Sequence, residues 1–293
     1  MYSPINPETV TLGEWLLLWF ETYKRPTLAV NSVRNIEQMI RLHTPQWFKN
    51  IPLKQITVFE VERALAEIPT NRTKIYARQV WHSAFLKAQK LDIIPRNVVS
   101  LSEPIRHKKK RGNALTMAQQ EQFFLSLEGK RVKWLMLFYL YTGVRRCEAL
   151  TLRTSDIYRS ERLIRIRGTK TESSYRFILL TDEVEQILQG QMEQNKRDIG
   201  TRYESPDSEL IFNYSASYVS QSFKKLFPTH HLHDLRHTYI TRCAECGVNV
   251  NVCQQLVGHS TPIMTMGIYT HVFDEFKRKE ALKFSLNPFP NGT

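Results

Sequence analysis

Four short segments, far apart in the chain, hold side chains with chemistry to offer. They are Thr142–Leu150 (TGVRRCEAL), Gly168–Thr171 (GTKT), His233–Thr238 (HDLRHT) and Val257–Ser260 (VGHS), with Tyr269-Thr270-His271-Val272 shortly beyond the last. A guanidinium presents a planar fork of donors to an oxyanion. An imidazole moves protons near neutral pH. A phenol, with a pKa of about 10, becomes a nucleophile only beside a base or in a strong positive field. Taken singly, each segment also has an ordinary structural explanation. An arginine after a glycine at a helix junction forms a surface ion pair, a lysine in a turn is solvated, and a histidine is a satisfied core group.

Metal chemistry is a weaker reading of the same stretch. Cys243-x-x-Cys246, with Cys253 and nearby histidines, has no second cysteine pair at finger spacing, and both cysteines fall within a helical pattern. His233 and His237 are four apart, but Asp234 stands where a zincin carries glutamate. No metal ligands are assigned.

Elements must position these residues. At roughly 150 residues per domain, 293 residues suggest two domains. The net charge of +13 attracts polyanions, either nucleic acid or an anionic membrane surface. The longest apolar run, Trp134–Tyr141, is far below the ~20 residues of a membrane span. No basic segment leads into an apolar stretch at the N-terminus, so no secretory signal is expected. Four cysteines make no disulfide framework, which fits reduced thiols in a cytoplasmic protein.

Residues 1–112 hold 18 Lys and Arg against 9 Asp and Glu; the remainder holds 23 against 19. The basic, proline- and glycine-marked stretch 102–113, with Lys108, Lys109, Lys110 and Arg111, reads as a linker. Before it the pattern is all helix. Trp15 to Tyr23 and Val33 to Leu42 keep helical spacing, Thr57 with Glu60 forms a capping box, and Ile75 to Ala88 line a fourth helix that also carries Arg72, Lys74 and Arg78. After the linker the pattern is mixed. Thr116 with Gln119 caps a helix, and a buried helix ends at Gly143. Leu163–Arg167 and Tyr175–Leu180 flank a polar turn as a β-hairpin, and helices return beyond Asp182. Three residues apart, His233 and Arg236 share a helix face.

Together the four segments, in this order and spacing, resemble the tyrosine recombinases of the phage integrase family over nearly the whole chain. The resemblance implies a mainly α fold with a small antiparallel β-sheet. Residues 1–101 would be a helical, SAM-like core-binding domain, and residues 114–293 an α+β catalytic domain with a helical tail. It implies catalytic roles for Arg145, Lys170, His233, Arg236, His259 and Tyr269, with Glu148 in support. Cys147 and Val257 depart from the usual glycine and leucine without touching the chemistry. The first helix begins by about Leu12, which leads us to expect the simpler, Xer-like architecture without an arm-binding domain.

The implied reaction is attack by the Tyr269 oxygen on a DNA phosphodiester. His233 serves as base, Arg145 and Arg236 bind the non-bridging oxygens, His259 donates a further hydrogen bond, and Lys170 protonates the leaving 5′-hydroxyl. No metal or nucleotide cofactor is required by this scheme. The implied partner is double-stranded DNA, contacted through the linker lysines and Arg111 and through the Arg72, Lys74 and Arg78 face. The protein would act as a homo-tetramer on two sites, exchanging the C-terminal helix Phe273–Leu286 between subunits, with a DNA-bending or directionality protein as a further partner. The expected role is integration or excision of a mobile element in the nucleoid. The alternatives are an Xer-like dimer resolvase, a type IB topoisomerase and a non-catalytic DNA-binding relative.

Overall fold

The computed structural model of the chain describes residues 6–106, 112–168, 175–201, 203–205, 207–259, 261–263 and 265–269. The chain divides into two compact units, Met1–Lys110 and Arg111–Thr293. Among the described residues, no helix is long and apolar enough to cross a membrane.

The first unit is helical: α1 (Leu12–Trp19), α2 (Val30–Gln38), α3 (Gln46–Lys49), α4 (Val58–Ala66) and α5 (Asn71–Lys90). Thr11 with Glu14 and Thr57 with Glu60 close reciprocal capping boxes on α1 and α4. Each box satisfies backbone donors that the first helical turn leaves unpaired. Both α1 and α2 run on into π-helical turns, Phe20–Lys24 and Met39–His43, which a simple 3.6-residue spacing does not anticipate. Also unanticipated is α3, whose four residues are too few to show a period. It nevertheless supplies Phe48, whose ring meets Trp81 edge-on at 5.0 Å. Around that pair Trp15, Trp19 and Phe85 are fully buried. The indole N–H of Trp15 donates to the Ala84 carbonyl (2.9 Å) and that of Trp81 to the Thr44 hydroxyl (3.1 Å). Five large apolar bodies are thus buried here, and the indole donors of Trp15 and Trp81 find acceptors inside the core.

The second unit holds α6 (Met117–Ser126), α7 (Lys133–Thr142), α8 (Arg146–Leu150), β1 (Ile157–Tyr158), β2 (Leu163–Ile166), β3 (Arg176–Leu179), α9 (Asp182–Asp198), α10 (Ala216–Leu226), α11 (His233–Glu245) and α12 (Val250–Val257). The sheet is antiparallel in the order β1-β2-β3, with Ile164 opposite both Ile157 and Ile178. Ile164, Ile166 and Ile178 bury one face. β1 was not expected, because two residues carry no alternation to read. Its base is set by the buried Asp156 carboxylate, which accepts from Arg165 Nε, Arg167 Nε and the Arg153 amide (2.9, 2.9 and 3.1 Å).

The central helix is α7. Leu135, Met136, Phe138, Tyr139 and Leu140 are all buried, and α9 and α11 pack against it. It stops at Gly143, where φ is +62°. A Cβ there would stand 2.5 Å from Tyr239 Cδ1. Gly143→Ala therefore meets both a left-handed backbone and a ring. We expect it to lower stability by more than about 1 kcal/mol, read as a lower urea midpoint at unchanged slope.

Candidate active site

Gly143 turns the chain sharply out of α7, and α8 begins only three residues later. Arg145 occupies the N-cap position between them, with extended backbone. The Glu148 carboxylate accepts from the Arg145 amide (2.8 Å) and from Arg145 Nη1 (2.7 Å), while Arg145 Nη2 donates to the Gly258 carbonyl (2.6 Å). The adjacent Arg146 reaches across to α10, its Nη1 donating to the Ala216 carbonyl (3.2 Å) and the Ser220 hydroxyl (2.5 Å).

Arg236, one turn into α11, is 2% exposed. Its Nη1 donates to the Gly143 carbonyl (2.7 Å) and its Nη2 to the Val257 carbonyl (2.6 Å). Its Nε is buried without a hydrogen-bond partner among the described residues. His233 opens the same helix, its ring perpendicular to that of His237 at 4.9 Å between centroids. His233 and Arg236, with Tyr139, Val144, Arg146 and Leu232, line a recess of about 240 Å³. His259 follows the left-handed cap of α12 at Gly258 and is buried, its Nδ1 paired with the Thr265 hydroxyl at 2.8 Å.

Positive charge is crowded here. Burial, then the charges of Arg145 and Arg176, push the Arg236 guanidinium down to about 9. Burial, then the charges of His237 and Arg236, lower the His233 imidazole to about 4. Burial, then Arg236 and Arg145, push His259 down to about 3. Glu148 is the carboxylate that answers them. Burial alone would raise it, but the hydrogen bonds and charge of Arg176, followed by Arg145, bring it below its ordinary value. Such a cluster is built to be relieved by an anion.

A pH dependence follows from His259. In the unfolded chain its imidazole has an ordinary pKa of about 6.5 and takes up a proton that the folded protein refuses. Stability is therefore fully present above that value and is lost as the pH falls below it toward the depressed folded pKa. We expect the Tm to fall between pH 7.5 and pH 5, and to fall less in His259→Gln.

Tyr269 lies apart from this cluster. It is 5% exposed, packs with Ile240, Cys253 and Val257, and its hydroxyl donates to the Val248 carbonyl (2.9 Å). Burial and the neighbouring Cys253 thiol raise its pKa, which keeps the phenol protonated. Lys170, the linker residues Lys108, Lys109, Lys110 and Arg111, and the Phe273–Leu286 helix lie outside the described residues. In the first unit Arg72 is exposed and lines a groove of about 470 Å³ with Asn35, Gln38 and Gln79. Lys74 reaches the Ala66 carbonyl (3.5 Å). Arg78 is occupied within its own unit, donating to the hydroxyl and carbonyl of Ser102 (2.8 and 3.1 Å).

Sequence reasoning missed Arg176, Thr265 and the three carbonyls that hold the arginines. Arg176 left one signal. It shares strand parity with the buried Ile178, and a charge on an inward face needs a partner.

A helical unit followed by a mixed unit with a three-stranded sheet is the architecture of the integrase-type tyrosine recombinases. The Tn1549 transposon integrase in complex with a circular intermediate DNA matches with a TM-score of 0.77, at 19% identity, over 94% of this chain and 100% of that one. A lambda integrase tetramer bound to a Holliday junction matches at 0.71, with 20% identity, over 87% and 79%. The chain belongs to the phage integrase family, whose model matches residues 113–275; the phage integrase N-terminal SAM-like domain matches residues 11–67. It is similar to the tyrosine recombinase XerA of Saccharolobus solfataricus, 30% identical over 188 residues, which cover 63% of this chain and 61% of that protein. It is also similar to the prophage ps2 probable integrase of Lactococcus lactis, 24% identical over 88% of this chain and 78% of that protein.

Proposed function

We propose that the protein is a site-specific DNA recombinase that cuts and rejoins strands through a 3′-phosphotyrosyl intermediate, and that it serves a mobile element as its integrase. The observation that carries this reading is the gathering of Arg145, Arg236, His233 and His259, from three separate stretches of chain, into one cationic cluster whose charges act on one another. A scissile phosphate there would accept from Arg145 and from the buried, unpaired Nε of Arg236. These donors stand ready for the negative charge that grows on the two non-bridging oxygens in the transition state. With Thr265 donating to its Nδ1, His259 would offer Nε2–H as a further donor.

In the forward step the Tyr269 oxygen bonds to phosphorus, the bond to the 5′-oxygen breaks, His233 takes the phenol proton and Lys170 protonates the leaving 5′-oxygen. A 5′-hydroxyl of the partner strand reverses these events and rejoins the DNA. Tyr269 must leave the Val248 carbonyl before it reacts, and the segment that carries it must move for this or for a neighbouring subunit's site. Residues 1–101 would grip the core site, with the linker at 102–113 crossing the duplex. The tetramer seen for lambda integrase on a Holliday junction supports a four-subunit assembly on two sites, with residues 273–286 passing between subunits.

The likeness to XerA favours one second reading, a resolvase of chromosome or plasmid dimers. A nicked suicide substrate carrying the element's end tests the main reading. The full-length protein should become covalently joined to the 3′ side in the presence of chelator, and should exchange strands between two duplexes. Joining of unlike sites marks an integrase, and resolution of directly repeated like sites marks an Xer-type enzyme. Relaxation of a circle without exchange would overturn both.

A further inference from the structure

Beside the four groups of the cationic cluster, one more arginine is built into the same region. Arg176, the first residue of β3, has a side chain 7% exposed. Its Nη2 and Nη1 donate to the two carboxylate oxygens of Glu148 (2.9 and 3.2 Å), and its Nε donates to the Leu256 carbonyl (2.6 Å). Gly258 packs so closely on this guanidinium that a Cβ there would stand 2.8 Å from Nη1.

The partners of Arg176 are the groups that aim the site. Glu148 holds the amide and Nη1 of Arg145, and Gly258 holds Arg145 Nη2. The turn that contains Leu256, Val257 and Gly258 also holds Arg236 Nη2 and delivers His259. Arg176 itself opens β3, a few residues after Lys170 in the sequence. One buried cation thus bridges the strand, the α8 carboxylate and the end of α12.

Resting on the recombinase reading, we propose that Arg176 is a positioning residue for strand transfer: by clamping both oxygens of Glu148 and the Leu256 carbonyl, it fixes the direction in which Arg145 meets the phosphate. A lysine cannot reproduce this, because its point charge makes no bidentate fork and cannot reach three acceptors in one plane. Being buried, Arg176 does not itself touch DNA, so its loss acts on the rate and leaves binding unchanged.

The test compares full-length wild type with Arg176→Met and Arg176→Lys. On the suicide substrate, the single-turnover rate of adduct formation per active molecule, counted from the adduct end point, should fall about 10²-fold in Arg176→Met. Arg176→Lys should fall in between, with the Kd for the site unchanged in both. Adding Glu148→Gln to Arg176→Met should cost far less than the product of the two single effects, because both act through one contact. A wild-type rate in Arg176→Met, or effects that multiply, would overturn the proposal. A second measurement does not depend on activity. In protein labelled with carbon-13 at the glutamate carboxyls, one resonance should stay ionised below the ordinary glutamate range and move upward in Arg176→Met and Arg176→Lys. An unmoved resonance also overturns the proposal. Should wild type form no adduct at all, the recombinase reading falls, and the carboxyl titration still decides whether Arg176 controls Glu148.

Discussion

Tyr269→Phe is expected to form no covalent adduct on a nicked suicide substrate, while binding the same DNA as tightly as wild type. The ring occupies a satellite cluster with Ile240, Cys253 and Val257, and phenylalanine fills that space equally well. Only the hydroxyl is removed, together with its hydrogen bond to the Val248 carbonyl. That bond contributes about 1 kcal/mol of stability, so the variant should fold with a slightly lower Tm. The chemical loss is complete because the deleted atom is the one that would bond to phosphorus. Denaturing gels read the outcome directly. An adduct that persists in Tyr269→Phe would move the nucleophile to another residue and overturn the mechanism.

Arg236→Ala should slow adduct formation by about 10²–10³-fold or more, equivalent to ~3–4 kcal/mol of transition-state stabilisation. The effect should appear in the rate of the chemical step, with DNA affinity changed far less, since most affinity comes from many phosphate contacts spread along the duplex. Stability responds in two opposing ways. The carbonyls of Gly143 and Val257 lose their donors, at about 1–3 kcal/mol each where they stay dry. Against this, a cation that burial and the charges of Arg145 and Arg176 disfavour is removed. Rates must therefore be expressed per active molecule. Arg236→Lys should recover little, because an ammonium lacks the planar fork whose two Nη atoms reach the separate carbonyls of Gly143 and Val257. Near wild-type turnover by either variant would remove Arg236 from the chemistry.

How much of this was visible beforehand depends on the distance over which each feature is decided. Gly143 was readable as a helix stop, and Thr57 with Glu60 as a helix start, because both are settled within one turn. His233 and Arg236 were placed on one face by their spacing alone. The hairpin was legible from its two apolar runs and polar turn. The partnership of Glu148 with Arg176 was not, because the two are 28 residues apart and meet only when β3 packs near α8. Nor was the docking of Tyr269, which depends on a carbonyl in the loop between α11 and α12 that no side-chain pattern announces. The π-turns after α1 and α2 escaped for a related reason. They shift the helical phase by one residue, within the range of a plain helix pattern.

Both guanidinium groups proposed to meet the phosphate lean on main-chain oxygens: Arg236 on those of Gly143 and Val257, Arg145 on that of Gly258. Every residue type carries such an oxygen. Position 257 can therefore hold valine in place of leucine without re-aiming Arg236, since its anchor point is the peptide unit. The demand falls instead on the path of the backbone, and so on the two glycines whose left-handed turns bring those oxygens into reach. A changed side chain at position 257 leaves the aim of Arg236 intact, and a change in either turn would spoil it from a distance.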